Sequence, residues 1–165
     1  MMRAMSRKST AGPDLDDISW QIIEQLQEDG RRSYGAIAKV VGLSEAAVRQ
    51  RVQRLTESGV VQIVAVTDPL LVGAHRQAMV GVRVSGPLEP VASALSDMPE
   101  MIYVVLCAGG FDILCEIVCD DDAHLAEVLA SRIRSIPGVA GTETFVYLQL
   151  RKESYRWGTR RPLNQ

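Results

Sequence analysis

The spacing of apolar residues divides the chain into a helical first third and a remainder that alternates. Leu15, Ile18, Ile22 and Leu26, with Ile23 flanking them, recur at helical spacing. Asp14, Asp16 and Asp17 crowd the start of that run, where the helix dipole favours acids, and Asp29-Gly30 stops it. Ser33 can cap a second, shorter helix through Ile37, Ala38, Val40 and Val41, with Gly42 as its stop. A third helix begins at Ser44, whose hydroxyl suits an N-cap, with Glu45 at the positive end of the dipole. Val48, Val52 and Leu55 follow at i, i+4 and i+7 and make a one-sided seam. The β-branched run Val60–Thr67 then predicts a strand, broken by Asp68-Pro69.

Beyond it, Ala78, Val80, Val82 and Val84 alternate as a half-buried strand does, and Pro87 to Met98 reads as a helix on Leu88, Val91, Ala92 and Leu95. Ile102 to Cys107 is a strand, Gly109-Gly110 turns the chain, and Asp112 to Cys119 is the next strand. Asp120-Asp121-Asp122 caps a helix through Leu125, Val128, Leu129 and Ile133 to about Ile136, Pro137-Gly138 ends it, and Gly141 to Leu150 is a last strand. The order β-α-β-β-α-β is the split-βαβ, ferredoxin-like topology. The fold class expected is therefore α+β. An N-terminal three-helix helix-turn-helix unit (winged-helix-like) is joined by a β-strand to a C-terminal ferredoxin-like domain. The expected divisions are a disordered basic arm at 1–13, the helix-turn-helix at 14–59, a linker strand and hinge at 60–75, the ferredoxin-like domain at 76–152 and a tail at 153–165.

Composition narrows the function classes without choosing one. Hydrophobic residues make up 47% of the 165, enough for packed cores, and aromatics only 5%, so those cores must be aliphatic. No apolar run approaches the ~20 residues that span a bilayer, and no secretory signal pattern opens the chain, so a cytoplasmic protein without membrane association is expected. The net charge of −2 gives no bulk basic field. Up to Thr67 there are nine Lys/Arg against eight Asp/Glu, and after it nine against twelve. Any nucleic-acid contact must therefore come from local placement of arginines.

The Ser44 helix offers that placement. Arg49, Gln50, Gln53 and Arg54 lie off its apolar seam, and Arg and Gln are the side chains that read guanine and adenine in two-point contacts. An ordinary solvated amphipathic helix would look the same; the tight Val41-Gly42-Leu43-Ser44 turn before it favours a helix-turn-helix with this helix in the recognition position. Glu45, Ala46, Ala47, Arg49 and Gln50, on its N-terminal outward part, are the base-reading candidates, and either alanine can meet a thymine methyl. Gln53 borders them. Ser33, Tyr34 and Ser44, near helix N-termini, are phosphate-binding candidates. Arg51 and Arg54 are expected to anchor phosphates, with a rival role for Arg51 in pairing with Asp16 or Asp17.

Elsewhere the chemistry is sparse. Gly109-Gly110 lets a ligand approach the backbone closely, and Asp112 could hold an ammonium group, but two glycines and an aspartate between strands also make a plain hairpin turn. Cys115 and Cys119 share a strand face with Ile113 and Ile117 and read as small buried hydrophobes, too far apart on a strand for one metal ion. His75 and His124 have no second ligand nearby in sequence and read as surface or turn residues. No nucleophile–base pattern, phosphate loop or paired-carboxylate motif is present, so neither enzyme activity, cofactor nor metal is expected.

Taken together, the two halves resemble the Lrp/AsnC family, the leucine-responsive or feast/famine transcriptional regulators. The resemblance rests on Leu15-Asp16-Asp17-Ile18, Leu26 to Arg31, Leu43-Ser44, Val48 to Leu55 and Gly59-Val60-Val61. In the second half it rests on Ala108-Gly109-Gly110-Phe111-Asp112, Ile136-Pro137-Gly138-Val139 and Thr142-Glu143-Thr144. It covers residues 14 to about 152. The resemblance implies an N-terminal DNA-reading domain on double-stranded, pseudo-palindromic operators. It also implies a C-terminal domain that binds an amino acid or small metabolite at a subunit interface and builds homodimers into an octamer or similar assembly. The effector-binding residues it points to are Gly109, Gly110, Phe111 and Asp112, with Tyr103, Thr142 and Thr144 as lesser candidates. Ala108 departs from the Thr or Ser common in that turn, and the basic, aromatic tail Tyr155 to Arg161 departs from many members. Some similar proteins are tetrapyrrole (siroheme) decarboxylases, and a metabolite-binding partner without DNA function is a third reading. The arginine face of the Ser44 helix argues for the regulator.

Overall fold

The structure is a computed structural model, and it describes residues 15–154. The arm expected at 1–13 and the basic tail from Tyr155 lie outside the described residues. The chain divides into two compact units, the first running to Ala65 and the second Val66–Arg151.

The first unit holds three helices, α1 (Asp17–Glu28), α2 (Tyr34–Val41) and α3 (Glu45–Glu57). Each begins at a side-chain cap. Asp16, Ser33 and Ser44 accept the backbone N–H of Ser19, Ala36 and Ala47, which satisfies a donor each helix would otherwise leave bare. Gly42 closes α2 at φ 72°, a left-handed position that costs glycine nothing, and swings the chain into α3. The predicted stripes meet as one core: Ile22, Ile23 and Leu26 of α1, Ile37 and Ala38 of α2, and Val48, Val52 and Leu55 of α3 are all buried. Leu15, Ile18 and Val41 border it.

The expected strand Val60–Thr67 does not form within this chain. Residues 61–68 make no ladder, and Ile63, Val64 and Val66 are exposed. A β-branched sequence becomes a strand only when another strand takes its hydrogen bonds, and the described residues supply none there. Asp68 instead caps a short 3-10 turn, Pro69–Leu71.

The second unit is built from β1 (Arg76–Val84), α4 (Leu88–Ser96), β2 (Met101–Leu106), β3 (Ile113–Cys119), α5 (Asp122–Glu127) and β4 (Val139–Val146). Its four strands lie in the order β2-β3-β1-β4, with antiparallel neighbours throughout, which is the ferredoxin-like topology. One face carries Ala78, Val80, Val82, Ile113, Cys115, Ile117 and Cys119, and packs with Val91 and Leu95 of α4 and with Leu125, Val128 and Ile133. Both cysteines are thus aliphatic-like core residues, and burial pushes the Cys115 thiol up to about 11.

Two elements differ from the sequence reading. The last helix does not run on as an α-helix: Val128–Ile133 widens into a π turn. The five-residue step from Val128 to Ile133 is what that wider turn brings onto one face, and both are fully buried. The last strand stops at Val146, four residues before the expected Leu150: Val146 pairs with Ala78, Tyr147 N–H adds one bond to the Gln77 carbonyl at 2.9 Å, and β1 itself begins at Arg76.

Candidate nucleic-acid interface and effector turn

The seam of α3 is spent on the core, so the opposite side is what the helix can offer. Ala46, Gln50 and Gln53, at i, i+4 and i+7, lie directly across from it, and all three are exposed. Arginines flank that line on both sides, and the structure separates their roles.

Arg51 faces α1. Its Nη1 donates to both carboxylate oxygens of Asp16, at 2.8 and 2.6 Å, and to Ser19 Oγ at 3.2 Å. The structural alternative raised for this residue is the one observed. Asp16 caps α1 and grips α3 at once, and hydrogen bonds from Ser19 and then Arg51 hold its carboxyl down at about 2. Arg54 remains exposed beside the same hollow, which Leu15, Asp16, Ser19, Arg51, Leu55 and Ser58 also line.

Arg49 faces α2. Its Nη2 donates to Glu45 Oε1 at 3.0 Å, and its guanidinium carbon lies 5.2 Å from the centre of the Tyr34 ring. Gln53 Nε2 donates to Glu57 Oε1 at 2.8 Å, while the Ser33 and Ser44 hydroxyls serve as caps. All eleven candidates therefore sit on α2 and α3 of one unit. Nine lie on α3 or at its cap, and Ser33 and Tyr34 open α2. Sequence reasoning missed Gly35, against which the Glu45 carboxylate rests: a Cβ there would meet Glu45 Oε2 at 3.1 Å.

In the second unit, Cys107 N–H donates to the Asp112 carbonyl at 2.8 Å and closes a four-residue loop, Ala108–Phe111, between β2 and β3. Asp112 is tied to β1 twice: its N–H donates to the Val82 carbonyl at 3.0 Å, and its Oδ2 accepts the Val84 N–H at 2.8 Å. One carboxylate oxygen therefore has a structural task that the sequence did not reveal. Gly109 and Gly110 lie outside the left-handed region, and a Cβ on either would meet nothing within 4 Å. A tight turn is not what makes them glycines.

Phe111 folds back over the sheet, where a Cβ on Gly81 would lie 2.7 Å from its ring. The Arg83 guanidinium carbon lies over that ring, 4.8 Å from its centre, and Phe145 meets it edge-on at 6.3 Å. Tyr103, opposite Glu116 in the register, shares this open face. Thr142 and Thr144 do not, since they pair with Val82 and Val80 and so share the helix-covered face. Arg134 Nε approaches Thr142 Oγ1 at 3.5 Å. Gly81, Arg83 and Phe145 escaped the sequence reading because a contact between a loop ring and a strand glycine thirty positions earlier has no local signature.

A second polar cluster was also invisible in sequence. Glu100, before β2, pairs with Arg132 on the π turn and lies 3.4 Å from His124 Nε2. Burial opposes its charge, but its backbone N–H and Arg132 outweigh burial and hold the carboxyl below its usual range. His124, read from sequence as a surface or turn residue, is half-buried at this pair.

Three capped helices with an exposed Gln/Arg face, followed by a four-stranded sheet with one face bare, define a helix-turn-helix protein carrying an α+β assembly domain. Comparison with known proteins makes this specific. Residues 15–56 match the AsnC-type helix-turn-helix domain, and residues 74–160 match an AsnC-type C-terminal dimeric alpha+beta barrel domain. The chain belongs to the AsnC (Lrp/AsnC) family of transcriptional regulators.

The HTH-type transcriptional regulator FL11 of Pyrococcus horikoshii is 37% identical over 142 residues, 85% of this chain and 93% of that one. The proline dehydrogenase transcriptional activator of Rhizobium radiobacter is 34% identical over 86% and 94%. Among solved structures, a Neisseria meningitidis transcriptional regulator in complex with L-Met superposes with a TM-score of 0.75 over 86% of this chain and 95% of that one. At 24% identity, that likeness is one of fold. No helix among the described residues is long and apolar enough to cross a membrane.

Proposed function

We propose that this regulator reads a pseudo-palindromic operator and that an amino acid, or a close metabolic relative, sets its grip. The outward line Ala46, Gln50, Gln53 with Arg49 and Arg54 on its flanks is the observation that carries the DNA half. Amide and guanidinium groups in that arrangement match the donor and acceptor edges of a major groove. Each unit is small for independent stability, so burial between copies adds to it. Pairing of two bare sheet faces would set two recognition helices about one DNA turn apart, roughly 34–36 Å, hence the two-fold operator. Further association of dimers, up to an octamer, would create the interface where effector binds.

The effector half rests on the Gly109–Asp112 turn. Bare backbone at Gly109 and Gly110 leaves room for an α-carboxylate to take their N–H groups, and Asp112 Oδ1 would hold the α-ammonium while Oδ2 stays with Val84. Phe111 would border the side chain of the effector, and Tyr103 could reach from the same face of the sheet. Thr142 and Thr144 would contribute only from the strand edge. The L-Met complex of the Neisseria relative supports an amino acid as the class. Effector then acts by binding one assembly state better than another. Sedimentation velocity and operator titration across the standard amino acids test this together. One amino acid that shifts assembly and operator affinity in parallel supports it, whereas saturation that leaves both unchanged refutes it.

A further inference from the structure

Arg49 is held from two sides before any DNA arrives, by a carboxylate and by an aromatic ring. Glu45 Oε1 takes one hydrogen of Nη2 at 3.0 Å, and the Tyr34 ring lies beside the guanidinium at 5.2 Å. Both Arg49 and Glu45 are more than half exposed, at 63% and 56% of their side chains, so the pair lies on the groove-facing surface rather than in the core. Gly35 lies behind Glu45: a Cβ there would come within 3.1 Å of the carboxylate oxygen Oε2. Gly35 sits inside α2, where glycine is a poor helix former, and it lies outside the left-handed region. Backbone conformation therefore does not require it, and its bare Cα leaves room beside the Glu45 carboxylate.

We infer that Tyr34, Gly35 and Glu45 form a positioning unit that presets Arg49 to read one guanine in each half-site. This rests on the operator-reading function proposed above. A guanidinium has five N–H donors. With one committed to Glu45, the other Nη2 hydrogen and those of Nη1 still present the two-point fork that matches guanine O6 and N7. An unrestrained arginine would reach a phosphate as readily as a base. Restraint by a carboxylate and a ring keeps the fork pointed and turns a general cation contact into a sequence-specific one. Glu45 is thus a positioning residue, and its negative charge weakens binding to DNA of any sequence while sharpening the choice among sequences.

The experiment is selection of binding sites from a randomised duplex library by the full-length protein, read by sequencing, for wild type, Arg49→Ala, Glu45→Gln and Gly35→Ala. Circular dichroism of each variant checks the fold, and Glu45→Gln changes only an exposed side chain. Wild type is expected to select one guanine in each half-site with roughly ten-fold preference. Arg49→Ala is expected to erase that preference, and Glu45→Gln, whose amide oxygen still accepts from Arg49 but without the charge, to weaken it, each at the same position with the other positions as they were. Gly35→Ala, by displacing the carboxylate, should weaken it there too. On random-sequence duplex, Glu45→Gln should bind more tightly than wild type. A Glu45→Gln selection identical to that of wild type overturns the inference alone, as does loss spread evenly over all positions. A wild-type protein that selects no sequence overturns the operator-reading function on which it rests.

Discussion

Asp16 shows how much one side chain can be asked to do. It caps α1 through Ser19 and holds the recognition helix through Arg51, so Asp16→Ala removes a cap and a helix–helix tie together. Loss of about 1–2 kcal/mol is expected for the first unit, on the scale of N-cap removal, measured by urea unfolding. The pH dependence has a definite sign. Its carboxyl is lowered from 3.8 to about 2 in the folded state, so its contribution is complete above pH 4 and fades as pH falls towards 2. Solvent screening of a half-exposed pair keeps that contribution small. Arg51→Lys, which keeps the charge but not the guanidinium that places Nη1 between Asp16 and Ser19, should show a reduced version of the same effect. Gly81 makes the converse point: Gly81→Ala would drive a methyl into the Phe111 ring and should cost about 1–3 kcal/mol of the second unit by thermal unfolding. The Arg51–Asp16 pair was legible in sequence as an alternative, because a capping acid and an inward-leaning arginine both follow from helical spacing. The Phe111–Gly81 contact was not, since it joins a turn to a strand thirty positions earlier.

At the level of elements, caps and stops carried the reading. Asp16, Ser33, Ser44, Gly42 and Asp121 each fall where composition put them, because each answers a local need of the backbone. Gly42→Ala should cost about 1 kcal/mol through the strain of its left-handed backbone, seen as a lower thermal midpoint. What failed were features set by partners in space. Val60–Thr67 has strand composition and no partner strand among the described residues, and the π turn at Val128–Ile133 answers to the sheet beneath it, not to its own residues. If Val60–Thr67 pairs with its copy across a dimer, its amides will exchange hydrogen slowly in the assembled protein. They will exchange fast in a variant whose open sheet face carries a charge, such as Phe145→Glu.

For the whole molecule, the two units divide the labour in a way that the sequence pattern already announced: one periodicity of helices, then one of alternating strands. The family resemblance supplied what no periodicity could, namely the expectation that the Gly109–Asp112 turn holds an effector as well as joining two strands. The structure adds that Asp112 is half committed to Val84 and that Thr142 and Thr144 share the covered face. The central claim is that α3 reads sequence. Its most direct test is binding of the full-length protein to the DNA flanking its own gene and to a scrambled duplex of equal length, across a series of salt concentrations. Affinity for the flanking DNA is expected to be at least a thousand-fold above that for the scrambled duplex. Log K should fall linearly with log salt, with a slope that counts phosphate contacts. Arg54→Ala should reduce that slope by about 1. Equal, weak affinity for both duplexes at every salt concentration would contradict it.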